Sequence, residues 1–150
     1  MTRDTVVFGY LGRALSLELS AVQQYLALAR LLEMRGMNEA AKQFRHEAHE
    51  EMEHAERIIA RMLALGVAPS ASRLRPARLD GPLPQLLQHA TELENDIVSF
   101  YAQAVRYCAR AEDAESRIFF EALWREEQAH AATIDTWRQE SVNGPTTGET

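Results

Sequence analysis

The clearest structural signal in this chain comes from residues 46–54, HEAHEEMEH, and from residues 126–130, EEQAH. Each stretch contains a glutamate three residues before a histidine, as Glu51 with His54 and as Glu127 with His130. On a helix, residues three apart point from the same face. Each pair can therefore offer one carboxylate and one imidazole to the same metal ion.

One more glutamate precedes each pair at an identical spacing. Glu18 precedes Glu51 by the same number of positions as Glu94 precedes Glu127. The chain thus shows one pattern twice, once in each half. Four carboxylates and two imidazoles directed at one point form a ligand set for two metal ions. Mixed oxygen and nitrogen ligands of this kind suit iron, manganese or zinc.

Helical periodicity dominates residues 5–140, and no segment has the alternation of a strand. We predict four helices, at about residues 5–34, 39–65, 82–112 and 114–140. Gly36 and Gly66 follow the first two helices as C-terminal stops. Asn38 and Asp113 are N-cap candidates before the second and fourth helices, and Pro82 is a first-turn residue of the third.

The connections between the helices predict the topology. Short links join helix one to two and helix three to four, so each pair is an antiparallel hairpin. Residues 66–81 join the hairpins and can extend over about 50 Å, whereas a 27-residue helix is about 40 Å long. This linker can cross the whole bundle. The rival interpretation, two separate hairpins on a flexible linker, is disfavoured because one hairpin cannot bury its apolar faces.

The four glutamates interrupt apolar faces rather than solvated ones. At alternating steps of three and four, the helices give Leu15-Glu18-Val22, Ala48-Glu51-Ala55, Ala90-Glu94-Ile97 and Leu123-Glu127-His130-Ile134. An uncompensated buried carboxylate costs several kcal/mol, and a domain has only about 5–15 kcal/mol of stability. Four such groups in one layer require protonation, cationic partners or metal. No Lys or Arg lies on these faces at that level.

Composition limits the remaining classes of function. A net charge of −6 argues against a nucleic-acid binder. No apolar run approaches the roughly 20 residues of a membrane span, and no secretory signal is evident. Cys108 is the only cysteine, which excludes an internal disulfide and fits a reducing, cytoplasmic compartment.

At these residues the chain resembles the bacterioferritins, the haem-containing branch of the ferritins, over about residues 4–140. The matching stretches are residues 17–25, LELSAVQQY, residues 46–54, residues 92–94, ELE, and residues 126–130. The resemblance implies an all-α, ferritin-like di-iron four-helix bundle over residues 1–140. It also implies that Glu51 and Glu127 bridge two irons, that Glu18 and His54 complete one position, and that Glu94 and His130 complete the other.

Met52 narrows the resemblance from di-iron bundles in general to the haem-binding branch. In that branch, a methionine between the Glu and His of the first pair binds haem b at a twofold axis between two subunits. Met52 lies about 100° around the helix from Glu51 and can face a partner subunit, with Leu19 and Leu26 offering apolar surface nearby. Its alternative role is an ordinary half-buried methionine. Arg45 and His49 lie upstream and are candidates for the haem propionates.

Other residues carry open alternatives. His46 and Glu50 match positions of the family's iron route, or form a solvated face. Tyr25 and Tyr101 each follow a metal glutamate by seven residues. Either they hydrogen-bond ligand carboxylates or donate electrons, or they are half-buried core residues. His89 is expected at the surface. The last residues, 141–150, contain Gly144, Pro145 and Gly148 and are expected to form a flexible tail instead of the family's fifth helix.

The resemblance implies iron storage with ferroxidase activity, in which O2 or peroxide oxidises Fe(II), in a homo-oligomer of at least two subunits and up to a 24-subunit shell. Nucleic-acid and membrane partners are not expected. Two alternatives remain open. One is a dimeric, rubrerythrin-like di-iron oxidase or peroxidase without storage; the other is a haem-binding dimer with a structural metal site.

Overall fold

The computed structural model of the chain describes residues 2–71 and 73–143, and within them it contains four helices and no strand. The helices are α1 (Thr5–Met34), α2 (Asn38–Ala64), α3 (Leu83–Arg110) and α4 (Ala114–Asn143). The prediction of an all-α, four-helix architecture is confirmed. The helix expected to end near residue 140 continues to Asn143, and the rest of the predicted tail, residues 144–150, lies outside the described residues.

The helix ends follow from local chemistry. The carboxylate of Asp4 accepts the Val6 N–H at 2.8 Å and so caps α1. Past the other end of α1, Gly36 has a φ of 75°, and the Met37 N–H donates back to the Leu32 carbonyl at 2.8 Å. This 6→1 bond is the Schellman motif, which favours glycine because its φ is positive.

Two predicted boundaries need correction. Asn38 is the first residue of α2 rather than its cap; Met37 occupies the cap position, with no side-chain hydrogen bond. Pro82 caps α3 instead of starting it, and Pro84 lies in the first turn. Both shifts are of a single residue, within the one or two residues by which helix ends are uncertain from sequence.

The linker from α2 to α3 runs along α1 and fixes the topology. The Arg75 N–H donates to Ser20 Oγ at 2.9 Å, and the Arg78 backbone exchanges two hydrogen bonds of 2.8 Å with Gln24. Farther along, Arg35 donates to the Gly81 carbonyl at 2.9 Å. The linker therefore follows α1 towards its C-terminal end, so that α3 begins there, antiparallel to α1 and parallel to α2.

The core lies between the four predicted apolar faces. Its largest fully buried side chains are Tyr25, Tyr101, Phe44, Phe120, Leu11, Leu15, Leu28, Leu32, Ile58, Leu86, Ile97 and Leu123. Helix α1 is long and apolar enough to span a membrane, but half of its most apolar stretch is buried within the bundle. Its apolar composition is explained by its place in the core.

In the turn between α3 and α4, a non-glycine residue adopts a left-handed backbone conformation. Glu112 has a φ of 55° and occupies the position that Gly36 and Gly66 fill in the other turns. A left-handed conformation costs a non-glycine residue about 1–2 kcal/mol, and the larger backbone entropy of unfolded glycine offsets part of this.

We therefore expect Glu112→Gly to raise the free energy of unfolding by about 0.5–1 kcal/mol, and the melting temperature by about 1–4 °C. The matched control is Ala111→Gly, because Ala111 precedes Glu112 with a right-handed φ of −80°. The control should lower stability. Equal losses from both glycines, measured by urea denaturation of the metal-free protein, would contradict this account.

Candidate metal centre

Four carboxylates converge in the middle of the bundle, one from each helix. Glu18, Glu51, Glu94 and Glu127 are all 0% exposed. Each replaces one apolar residue in the face that its helix turns towards the core, which is why the folded chain buries all four in one layer. The structure thus brings together every glutamate that the repeated spacing singled out.

The six predicted ligands form two overlapping groups. The first group is Glu18, Glu51, His54 and Glu127, and the second is Glu51, Glu94, Glu127 and His130. Within each group, one potential ligand atom per residue lies within 4.8 Å of all the others. Glu51 and Glu127 belong to both groups, so the geometry is that of two adjacent positions sharing two carboxylates.

The histidines contact the shared glutamates of the opposite pair. His54 Nδ1 lies 2.8 Å from Glu127 Oε1, and His130 Nδ1 lies 2.5 Å from Glu51 Oε1. The two imidazole rings are nearly parallel, at 9°, with centroids 5.4 Å apart. Both Nδ1 atoms therefore face the carboxylate layer.

Two buried tyrosines orient the outer carboxylates. The Tyr101 hydroxyl donates to Glu18 Oε1 at 2.7 Å, and the Tyr25 hydroxyl donates to Glu94 Oε1. Each tyrosine thus contacts the glutamate of the other half of the repeat. Of the two alternatives, carboxylate contact and simple core packing, the structure has both, because the rings are fully buried as well.

Burial and the neighbouring charges shift the pKa values within this layer in opposite directions. Burial raises the pKa of Glu51 and Glu94 well above the usual range, with further upward shifts from neighbouring carboxylates, and it also raises the pKa of Glu18. Burial acts the same way on Glu127, but hydrogen bonds from both histidines outweigh it and hold that pKa well below the ordinary value.

The histidines show the complementary shift. Burial alone would lower the pKa of His54, yet its hydrogen bonds to Glu127 and Glu18 raise it to about 10. Burial would also lower the pKa of His130, but its hydrogen bond to Glu127 outweighs burial and raises that pKa. Without metal, the layer is therefore stabilised by protons on its own carboxyl and imidazole groups.

One oxygen of each core carboxylate has no hydrogen-bond partner. These atoms are Glu18 Oε2, Glu51 Oε2, Glu94 Oε2 and Glu127 Oε2. Among residues 2–71 and 73–143, the only cationic side chains that pair with these four glutamates are His54 and His130. Buried acceptors without a donor are costly, and divalent cations are the partners that such oxygen and nitrogen donors fit.

Sequence reasoning missed two acidic residues at the edge of this layer. Glu47 is only 4% exposed, and its Oε2 lies 3.5 Å from His130 Nδ1. Glu126 forms a 2.6 Å ion pair with Arg57, and its other oxygen lies 3.8 Å from His54 Nε2. Glu47 lies one turn before Glu51, a spacing that would have placed it on the same face.

The remaining candidate residues lie outside this layer. Met52 is 40% exposed on α2, and Leu26 of α1 is also exposed. His46 and Glu50 lie on the outer face of α2 with 3.4 Å between Nε2 and Oε1, while Arg45 pairs with Glu33. The expectation of a surface His89 is wrong: it is buried, with its Nε2 3.1 Å from Asp80 of the linker.

Comparison with known proteins agrees with this geometry. The model of the ferritin-like domain matches residues 9–141. The bacterioferritin of Rhodobacter capsulatus is 37% identical over 136 residues, which are 91% of this chain and 84% of that protein. The bacterioferritin of Brucella melitensis is 31% identical over 91% of this chain and 84% of its own length.

A solved structure of Rhodobacter capsulatus bacterioferritin superposes with a TM-score of 0.90 at 36% identity, covering 97% of this chain and 91% of that one. It is described as having a metal-free dinuclear site and a haem iron in a crystallographic special position. The fold and the site define a ferritin-like four-helix bundle. Within that class, the chain belongs to the bacterioferritin family, whose members and fold support a role in iron storage.

The buried carboxylates should destabilise the metal-free protein at high pH. Because the pKa of Glu94 is raised in the folded state, the fold holds a proton that the unfolded chain releases above its ordinary pKa of 4.5. Stability contributed by this group is therefore present below that pH and is lost as pH rises. Glu94→Gln removes this group's contribution to the pH dependence. We expect it to stabilise the metal-free protein by about 1–4 kcal/mol at pH 8, because each pH unit between the unfolded and folded pKa costs about 1.4 kcal/mol.

Urea denaturation with a chelator at pH 5 and at pH 8 measures this effect. The benefit of Glu94→Gln should be larger at pH 8 than at pH 5. The matched control is Glu92→Gln, an exposed residue of α3 that pairs with Arg78 at 2.6 Å, and it should bring no stabilisation at either pH. A Glu94→Gln variant no more stable than the wild type at pH 8 would contradict the proposed cost of this charge.

Proposed function

We propose that this protein stores iron and is a ferroxidase, oxidising two Fe(II) ions to Fe(III) with O2 or peroxide at the centre formed by Glu18, Glu51, His54, Glu94, Glu127 and His130. The observation that carries the proposal is the set of four unpartnered carboxylate oxygens in a layer that has no Lys or Arg partner among the described residues. Four carboxylates match the charge of two divalent ions.

The residues suit iron as a substrate. Glu51 and Glu127 can bridge two ions, Glu18 with His54 can hold one, and Glu94 with His130 can hold the other. Carboxylate oxygens are hard ligands that favour Fe(III) over Fe(II). Holding both ions at adjacent positions lets two electrons leave together, so that one peroxide molecule with two protons becomes two waters, or one O2 with two protons becomes peroxide.

The same side chains can manage the protons. Metal ligands bind in their deprotonated forms, so iron displaces the protons that the raised pKa values keep on Glu51, Glu94 and the histidines. The tyrosine hydroxyls of Tyr25 and Tyr101 keep the outer carboxylates aimed inwards during this exchange. Binding therefore exchanges protons for cations without unfolding the layer.

We also propose that Met52 binds haem b between two subunits. Its side chain is 40% exposed on α2, whereas the adjacent Glu51 is fully buried, and Leu26 of α1 adds exposed apolar area. A twofold axis beside this face would bring two such methionines together. The haem would supply electron entry for the release of stored iron. The proposal includes a cytoplasmic homo-oligomer of two or more subunits.

Aerobic addition of Fe(II) tests the ferroxidase proposal. For the wild type we expect a rapid rise in ferric absorbance. Combining Glu18→Ala and Glu94→Ala should lower the initial rate of oxidation by about 100-fold or more, because each metal position then loses its terminal carboxylate. The control combines Glu53→Ala and Glu92→Ala on the exposed faces of α2 and α3, and should keep the fast phase. Fast oxidation by the first double variant would refute the site.

A visible spectrum tests the haem proposal separately. Met52→Ala should abolish the haem absorbance of the purified protein while leaving the fast phase of iron oxidation intact, because Met52 lies outside the carboxylate layer. Met34→Ala, at the 83% exposed end of α1, is the matched control. Retention of the haem spectrum by Met52→Ala would exclude this methionine as the ligand. Native mass of the same samples distinguishes a dimer from a larger, mineral-storing shell.

A further inference from the structure

The outer nitrogen of His54 is buried and lacks a hydrogen-bond partner. His54 is 1% exposed, its Nδ1 faces Glu127, and its Nε2 has no acceptor within hydrogen-bond distance. If Nδ1 gives its lone pair to a metal ion, the ring proton must reside on Nε2. Ligating histidines almost always donate that proton to a carboxylate, a carbonyl or water, which fixes the ring.

One carboxylate lies just beyond hydrogen-bond distance of Nε2, and a small side-chain shift would let it accept a hydrogen bond from the Nε2–H. Glu126 Oε1 lies 3.8 Å from His54 Nε2, and Glu126 Oε2 is held by Arg57 at 2.6 Å. Arg57 follows His54 on α2, whereas Glu126 precedes Glu127 on α4. The ion pair thus ties the two helices together beside the histidine and aims the free oxygen of Glu126 at its ring.

The other half of the repeat lacks this arrangement. At the offset that relates His54 to His130, the counterpart of Glu126 is Glu50 and that of Arg57 is Thr133. Glu50 pairs with His46 at 3.4 Å, and the Thr133 hydroxyl donates to the Ala129 carbonyl at 3.0 Å. The side chain of His130 is also 13% exposed, compared with 1% for His54. The internal symmetry of the ligands therefore breaks at the residues around them.

We propose that Glu126, anchored by Arg57, is a positioning residue for His54. It accepts a hydrogen bond from the Nε2–H, so that Nδ1 presents its lone pair to the metal position shared with Glu18. At the position of His130 and Glu94, no carboxylate among the described residues lies within 4.0 Å of the outer ring nitrogen, Nε2. The two metal positions therefore differ in affinity, and the His54 position is the tighter. This inference rests on the proposed two-metal centre, but assigns it an order of filling and the residues that cause it.

Single-position variants make the proposal testable by metal binding alone. His130→Ala should leave the His54 position, and His54→Ala should leave the His130 position. Anaerobic titration of each metal-free variant with Co2+, followed by its visible absorbance, gives one dissociation constant per variant. Adding Glu126→Ala to His130→Ala should weaken Co2+ binding about 10–100-fold, the usual effect of losing such a partner. Added to His54→Ala, it should change nothing.

Three further variants separate positioning from general disruption. Glu126→Gln should recover part of the affinity, because its amide oxygen still accepts a hydrogen bond. Arg57→Met should weaken binding in the His130→Ala background only. Glu121→Ala is the matched control, since Glu121 also lies on α4 and pairs with an arginine, Arg117, at 2.8 Å; it should leave both constants unchanged.

A spectroscopic measurement reports on the proton itself. In the Zn2+-loaded wild type, the His54 Nε2–H should exchange slowly with solvent in nitrogen-15 NMR spectra, and Glu126→Ala should accelerate that exchange. If Glu126 had only a structural role, Glu126→Ala would lower the melting temperature and leave the exchange rate of the His54 Nε2–H unchanged.

The outcomes distinguish this inference from the proposed function. If the wild type binds two Co2+ ions but Glu126→Ala weakens both single-position variants equally, or neither, the positioning role is refuted and the two-metal centre stands. If the wild type fails to bind two ions, the centre itself fails and the inference with it.

Discussion

Four carboxylates buried in one layer of the core dictate how the surrounding side chains are arranged. Each of the four glutamates is fully buried, and only two imidazoles accompany them as cations among the described residues. The layer is tolerable without metal because protons are redistributed: burial raises the pKa of Glu51 and Glu94, while the histidines hold Glu127 ionised. The same redistribution prepares the layer to exchange protons for cations, since the groups that hold protons are the potential ligands.

Contacts between the two hairpins hold the carboxylates of this layer in position. The tyrosine of one hairpin orients the glutamate of the other, as with Tyr101 and Glu18, so neither hairpin can form the centre alone. The linker is equally important, because Gln24 and Ser20 hold it against α1 and thereby set α3 antiparallel to α1. In this fold, Glu18 and Glu94 lie beside the two Glu-x-x-His pairs.

The approximate repeat that relates the two hairpins also explains where the two halves differ. The six ligands and the two tyrosines obey it, but Arg57 and Glu126 do not have counterparts in equivalent contacts. A protein that takes up iron and passes it on benefits from one position that retains the metal and one that exchanges it. The proposed difference in affinity between the His54 and His130 positions provides this, without any change in the residues that ligate the metal.

Hydrophobic periodicity and the spacing of Glu and His are local properties of a helix face. The helices, their order and the meeting of six Glu and His residues in one place could therefore be predicted from the sequence. The helix caps could not be predicted to the residue, since Asn38 is a good capping residue by type but lies inside α2. Nor could the burial of His89, which contacts Asp80 in a linker without periodicity. Two features emerged only from the folded bundle: which tyrosine contacts which glutamate, and where Glu47 and Glu126 lie. The contacts that build the centre join residues 69 to 83 positions apart, and their distances follow from how whole helices pack.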